Sequence, residues 1–343
     1  MYPSISITDR QFAKKLIKQF KSDGMAVITD VFTKSACDKY MNRIINNFVK
    51  LETGIDKNNI GETWIPHNLP PQTRPGLFQA LVSNFPAVWS IRSHPNVRAI
   101  FEILYSNLRG SPQTDFIVSG DGINIRPGFI GPYTKPNTID WAHLDQTIPN
   151  DIYKCIQGQA VLTNTTASFV ASPKSHLVFD RILKKLKIDT KTNWLKFTPE
   201  QIGLVKKLVL DIGGQWQIPI LAPAGSFVVW ASTTIHSAKL QDQSIKPTST
   251  DKYRGWRGVV YVSYRPKNEF TNAQLLKRIN AFEQNRTTNH WSTHLFGKRP
   301  GGRYLYTEKR HPQIEAMLDD PLVVYEKIGT VNLTDEQNSL IGL

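Results

Sequence analysis

Apolar residues recur at helical spacing over residues 8–23, where Phe12, Leu16, Ile17 and Phe20 line one face and Thr8 and Asp9 stand where a first turn needs acceptors. Gly24 stops that run, residues 25–31 read as a short strand, and Met41, Ile44, Ile45 and Phe48 mark a second amphipathic helix over 35–51. The Asn- and Pro-rich stretch 55–75 reads as a long loop, and 78–105 as mostly helical, broken near Pro86 and Pro95. Past residue 116 the period falls to two and turn residues multiply. Strands are expected at 116–118, 122–125, 142–144, 156–163, 168–171, 215–218, 226–231 and 259–264. A helical insertion at 179–188 and 199–210 interrupts them, and helix and loop close the chain over 271–284 and 290–343.

Short strands spaced by turns predict a mainly β sandwich or barrel with flanking helices. The expected organisation is a single domain over 1–343. Residues 1–111 form a helical part packing on a core at 112–266, which carries the insertion 179–210, and 267–343 form an outer extension.

Composition narrows the class. Apolar residues make up 40% and charged residues 20%, which excludes a disordered chain, and no apolar run is long enough for a membrane span. Cys37 and Cys155 are too few for a disulfide scaffold, and residues 1–21 show no basic cap followed by an apolar core, so an intracellular, cytoplasmic setting is expected. The 42 Lys+Arg against 28 Asp+Glu leave a net charge of +14. That charge serves solubility or attracts an anionic partner. Its clumps at 184–187, 206–207 and 298–299 are dispersed, and no nucleic-acid motif accompanies them.

The candidate chemistry starts at Trp141-Ala142-His143-Leu144-Asp145. In an extended strand His143 and Asp145 share a face and could grip one ion. One imidazole and one carboxylate suit Fe(II) when a second His completes the triangle. Pro223-Ala224-Gly225 launches the apolar run 226–231, and His236 follows it; Arg257 then opens another apolar strand. A guanidinium facing a barrel interior needs an anion, and its fork matches a carboxylate. Arg254 is a rival for that role, but the alternation of Val259, Tyr261 and Ser263 begins beside Arg257.

This order of His-x-Asp, His and Arg, together with the turn Ser172-Pro173-Lys174-Ser175-His176, resembles the Fe(II)/2-oxoglutarate-dependent dioxygenases of the phytanoyl-CoA dioxygenase type. The resemblance implies a double-stranded β-helix (a jelly-roll or cupin-like core). It also implies His143, Asp145 and His236 as iron ligands, and Arg257 as anchor for the 5-carboxylate of the cosubstrate 2-oxoglutarate. Lys174 stands where the family commonly has Gly, Ser226 where Asp is common, and the gap from His236 to Arg257 is long. Either Gln157 or Gln159 could bond 2-oxoglutarate or form a solvated edge, and Asn124 could line the pocket or satisfy a turn. His176 is expected to be structural. His290 and His294 lack a nearby acidic partner for a second metal.

The implied activity is hydroxylation with release of succinate and CO2, since Asp145 keeps the carboxylate that halogenases of this kind lack. The substrate is unassigned; Lys57, Arg74 and Lys135 in the expected lid loops favour an anionic one. The alternatives are a cupin-like metal protein without 2-oxoglutarate turnover, distinguished by Arg257, a degenerate jelly roll serving as a basic interaction module, and oxidation of nucleic acid. The last fits the charge but lacks a base-stacking signature.

Overall fold

A computed structural model describes residues 2–129, 141–166, 168–188, 193–239, 244–297 and 309–343. Lys135, Lys298 and Arg299 lie outside the described residues. The strands are β1 (Ser4–Ser6), β2 (Met25–Thr29), β3 (Gln72–Arg74), β4 (Leu77–Phe78), β5 (Phe116–Val118), β6 (Ile123–Pro127) and β7 (His143–Leu144). They continue as β8 (Ile156–Val161), β9 (Ser168–Ala171), β10 (Leu195–Lys196), β11 (Ile218–Ile220), β12 (Phe227–Ala231), β13 (His236–Lys239) and β14 (Trp256–Pro266).

Among the described residues these strands form two sheets. The larger runs β1-β2-β12-β8-β14-β6-β4-β3, with β5 also pairing β14, and the smaller runs β10-β7-β13-β9-β11. From β6 to β14 the chain passes back and forth between them: β6, β8, β12 and β14 lie in the larger sheet, and β7, β9, β11 and β13 in the smaller.

Side-chain alternation sorts three apolar layers. On the larger sheet Ile123, Ile125, Ile156, Ala160, Phe227, Val229, Val260, Val262 and Tyr264 face the helices Phe12–Asp23, Lys34–Lys50, Pro86–Arg92 and Pro95–Arg109. Helices Phe179–Leu186 and Pro199–Leu210 cover the smaller sheet through Phe179, Ile182, Val205 and Val209, against Ala142, Leu144 and Ile235. Between the sheets, Met25, Val27, Val161, Phe169, Ala171, Ile220, Val228 and Trp230 fill one half of the interior. By the same alternation the other half receives Asn124, Arg126, Gln157, Gln159, Arg257 and Ser263, all buried and polar.

Local signals set most helix ends. Thr33, Thr198 and Thr271 cap their helices, the last two in capping boxes with Gln201 and Gln274. Pro86 and Pro95 do not break one helix: each occupies the first turn of its own, where its missing N–H costs nothing.

Several expectations are corrected. The part before residue 112 holds, besides the expected strand β2, the unexpected strands β1, β3 and β4, and all four join the larger sheet. Residues 55–75 are not a bare loop: they hold a short helix, Ile60–Thr63, and β3, which turns through Gly76 (φ 70°) into β4. These edge strands form because β6 is present to pair with β4, a partner no local pattern reveals. The strand expected at 215–218 is displaced to β11, after Gln217 takes a positive φ of 45°. His236 begins β13 and does not end β12, because the turn at 232–235 intervenes.

Both cysteines are buried and free. No helix among the described residues is long and apolar enough to cross a membrane.

Gly24 combines a left-handed φ of 73° with close contact: a Cβ there would lie 2.5 Å from His176 Nδ1 and from Thr234 Oγ1. Gly24→Ala is therefore expected to destabilise the fold by about 2 kcal/mol or more, read as a lowered urea midpoint with an unchanged slope. An unchanged midpoint would refute the close packing of this turn.

Candidate metal centre

Two neighbouring strands and one loop build the centre. His143 on β7 lies directly opposite His236 on β13, so the rings meet with centroids 4.2 Å apart. The chain leaves β7 at Leu144, and Asp145 N–H donates to Ser232 O at 3.0 Å, which turns the carboxylate back toward both rings. Asp145 Oδ2 lies 3.2 Å from His236 Nε2 and Oδ1 lies 3.7 Å from His143 Nε2. Ligand atoms of all three side chains fall within 4.8 Å of one another, in a buried group that could hold a metal ion.

The tautomers follow from the partners. His143 Nδ1 lies 3.1 Å from Trp141 O, and His236 Nδ1 lies 2.9 Å from Thr234 O. A carbonyl only accepts, so each Nδ1 carries the proton and each Nε2 presents its lone pair to the same point. Burial, with His236 beside it, pushes His143 down to about 3, so it is neutral near pH 7. Burial pushes the Asp145 carboxyl up, but His290, His236 and His143 more than reverse this and hold it well below the ordinary carboxylate range. The Asp145 carboxylate and the two imidazole Nε2 atoms thus converge in a buried pocket.

A second layer holds that arrangement. Gln157 Nε2 donates to Asp145 Oδ2 at 3.0 Å. Trp291 Nε1 donates to Asp145 O at 3.3 Å, and His290 Nε2 lies at the same distance from it. Gln146 ties down the following loop, donating to Ile148 O and Asp151 O at 2.7 Å each and accepting from Ser232 Oγ. Trp141 stacks on His143 with centroids 4.6 Å apart at 13°.

The fold brings His143, Asp145 and His236 together, with Gln157 bonded to Asp145. Arg257 faces the interior from the start of β14, 2% exposed, in register with Arg126 on β6. Arg254 is exposed and donates to Lys246 O, so of the two arginines only Arg257 points between the sheets. Gln159 lies on the inner face of β8, and its side-chain amide makes no hydrogen bond among the described residues. Asn124 Nδ2 donates to Pro75 O at 3.3 Å, leaving Oδ1 buried without a partner. Arg74 is exposed beside Trp141, whereas Lys57 lines a separate cavity with Asn42, Tyr253 and Trp256 on the helix-covered side.

Sequence reasoning did not find His290 and Trp291 behind Asp145, because they arrive from the C-terminal segment and no local spacing links them. Trp141 was legible: two residues before His143, it shares that strand face.

His176 is fully buried, with Nε2 3.2 Å from Lys21 O, and packs against Gly24. Lys174, in the same turn, takes the left-handed φ of 70° that glycine favours.

No family model and no curated protein sequence matches the chain. Among solved structures, the hypothetical protein JW0805 from Escherichia coli aligns with 100% of this chain and 85% of its own, at 13% identity and a TM-score of 0.55. GIG2 (DUF1479) from Candida albicans aligns with 99% of this chain and 83% of its own, at 16% identity and a TM-score of 0.54. The epimerase SnoN, solved with Fe3+, alpha ketoglutarate and nogalamycin RO, aligns with 75% of this chain and 84% of its own, at 14% identity and a TM-score of 0.46. The likeness to JW0805 and GIG2 is one of fold.

Burial lowers His176 to about 4, so between its ordinary value near 6.5 and that point the unfolded chain takes up a proton that the folded chain refuses. The contribution to stability is complete above pH 6.5 and declines by about 3 kcal/mol as the pH falls to 4. Urea midpoints measured across that window should show the decline, and His176→Gln should flatten it; an equally steep His176→Gln profile would contradict this assignment.

Proposed function

We propose that this chain is a non-haem Fe(II)- and 2-oxoglutarate-dependent oxygenase, a hydroxylase built on a jelly-roll (double-stranded β-helix) core of the phytanoyl-CoA dioxygenase type. The observation that carries the reading is the buried meeting of the Asp145 carboxylate with two imidazole Nε2 atoms whose Nδ1 protons are committed to strand carbonyls. Two imidazoles and one carboxylate are the donor set of the facial triad that binds Fe(II). A buried anion beside two lone pairs is costly to leave without a cation. The alternation of β6–β9 and β11–β14 between two facing sheets supports the jelly-roll reading.

His143, Asp145 and His236 would hold the metal, leaving positions open for a bidentate cosubstrate and dioxygen. When bound, iron and 2-oxoglutarate supply oxidation of a substrate C–H, with succinate and CO2 as coproducts. The protein's own part is positioning. Arg257 offers a buried fork to the distal carboxylate of 2-oxoglutarate. Gln159 offers a donor along the same face, while Asn124, its amide engaged by Pro75, offers only an acceptor. Gln157, His290 and Trp291 keep Asp145 oriented. The apolar half of the interior, with Phe169 and Trp230 beside His236, limits water.

Anaerobic titration of the protein with Fe(II) and 2-oxoglutarate tests the reading. A weak visible charge-transfer band should appear, and His236→Ala should abolish it. Absence of the band in the wild type, with no succinate formed on exposure to dioxygen, would overturn it. Arg257→Gln should raise the half-saturating 2-oxoglutarate concentration at least tenfold; an unchanged value would remove Arg257 from that role. Gln157→Leu should weaken metal binding by about tenfold, measured by competition with a chelator, and unchanged affinity would discount the Asp145 contact.

A further inference from the structure

Arg74 sits on β3 at the far edge of the larger sheet, and its guanidinium lies 5.0 Å from the centre of the Trp141 ring. That indole stacks on His143, so one ring touches both an exposed cation and a buried ligand of the metal centre. Arg98 is paired with Glu102 and Glu336 and Arg109 with Asp151 and Glu269, whereas the exposed Arg10, Arg43 and Arg181 have no acid partner among the described residues. Among the described residues Arg74 has no hydrogen bond from its guanidinium and no carboxylate partner. A second indole stands nearby. Trp194 is 50% exposed, and its ring centre lies 6.1 Å from that of His143. An exposed fork-shaped donor over the indole that covers His143, with a large exposed aromatic 6.1 Å from the same imidazole, is unusual for a surface that only has to be soluble.

We propose that Arg74, Trp141 and Trp194 form the substrate-recognition rim of the metal centre, and that the substrate is an organic oxyanion, a carboxylate or phosphate ester carried on a flat apolar body. The proposal rests on the oxygenase reading above. Arg74 pairs with the oxyanion while its guanidinium stays over Trp141, so the face left for pairing is the one turned to solvent. Trp194 offers a surface for the apolar body. Anchoring the charge at Arg74 leaves the carbon to be oxidised beside His143, one ring away. Arg257 is buried deeper on β14, so the two arginines divide two anions between them: the cosubstrate inside and the substrate at the mouth.

The test is calorimetric titration of the full chain with phenylacetate, phenyl phosphate and neutral 2-phenylethanol, both metal-free and anaerobically with Fe(II) and 2-oxoglutarate. The oxyanions should bind at least tenfold tighter than the alcohol, the tighter of the two identifying the substrate's group. Arg74→Gln should remove that preference and Arg74→Lys restore part of it, while Trp194→Ala should weaken all three probes alike. Equal binding of acid and alcohol by the wild type, or an Arg74→Gln protein that keeps the preference, would overturn the proposal. So would an Arg74→Gln protein that loses 2-oxoglutarate and phenylacetate together, which would place Arg74 with the cosubstrate. The metal-free titration separates this from the oxygenase reading: a missing charge-transfer band with oxyanion selectivity intact fails the iron reading alone, and an intact band without selectivity fails the rim alone.

Discussion

The carboxylate of Asp145 sits out of water, and most of what surrounds it answers the cost of that position. A buried anion must be met by donors or by a cation. Gln157 reaches one carboxylate oxygen, and the peptide N–H of Asp145 is held by Ser232. The two histidines do not complete the satisfaction. Each gives its Nδ1 proton to the carbonyl two residues before it, Trp141 for His143 and Thr234 for His236, and so turns an unprotonated nitrogen toward the acid. The same local device on two neighbouring strands produces a pocket rich in lone pairs.

The two sheets make such a pocket tolerable by dividing their shared interior. Toward β2, β12, β9 and β11 the space is closed by Met25, Val27, Phe169, Val228 and Trp230, which supply packing. Toward β6, β14 and the start of β8 the same alternation delivers Asn124, Arg257, Gln159 and Gln157. The apolar half keeps strand spacing and register; the polar half is lined by groups able to form hydrogen bonds. The helices of the insertion clamp β7 from outside through Ala142 and Leu144, so the residues on either side of His143 are held while its ring faces inward.

Backbone placement at a distance matters as much. Gly24 passes within contact of His176 and Thr234, and Thr234 is the residue whose carbonyl fixes the His236 tautomer. Thr234 Oγ1 donates to Gly24 O at 2.8 Å, so the end of the first helix is tied to the turn that presents the second histidine. Lys174 accepts a left-handed conformation in the neighbouring turn, a strain of about 1 kcal/mol that glycine would not carry; its N–H donates to Asp23 O in return. These contacts link the N-terminal helix to the cluster of His143, Asp145 and His236 without any residue of that helix entering it.

Much of this was legible in the chain. Period-two segments announced β5, β6, β8, β9, β12 and β14, and the i, i+2 rule placed His143 and Asp145 together, because these signals are local; the cap expected at Thr8 and Asp9 was not formed, since Gln11 precedes the first helix without a side-chain bond. What only the tertiary structure decided involves pairing across long separations. The edge strands β3 and β4 needed β6; His236 needed the turn after β12 to begin a new strand opposite His143; His290 and Trp291 reached Asp145 from the C-terminal segment. That Arg257 faces the interior was favoured by the alternation of Val259, Tyr261 and Ser263, but which sheet face is the interior depends on the pairing of β14 with β6 and β8, strands far away in sequence.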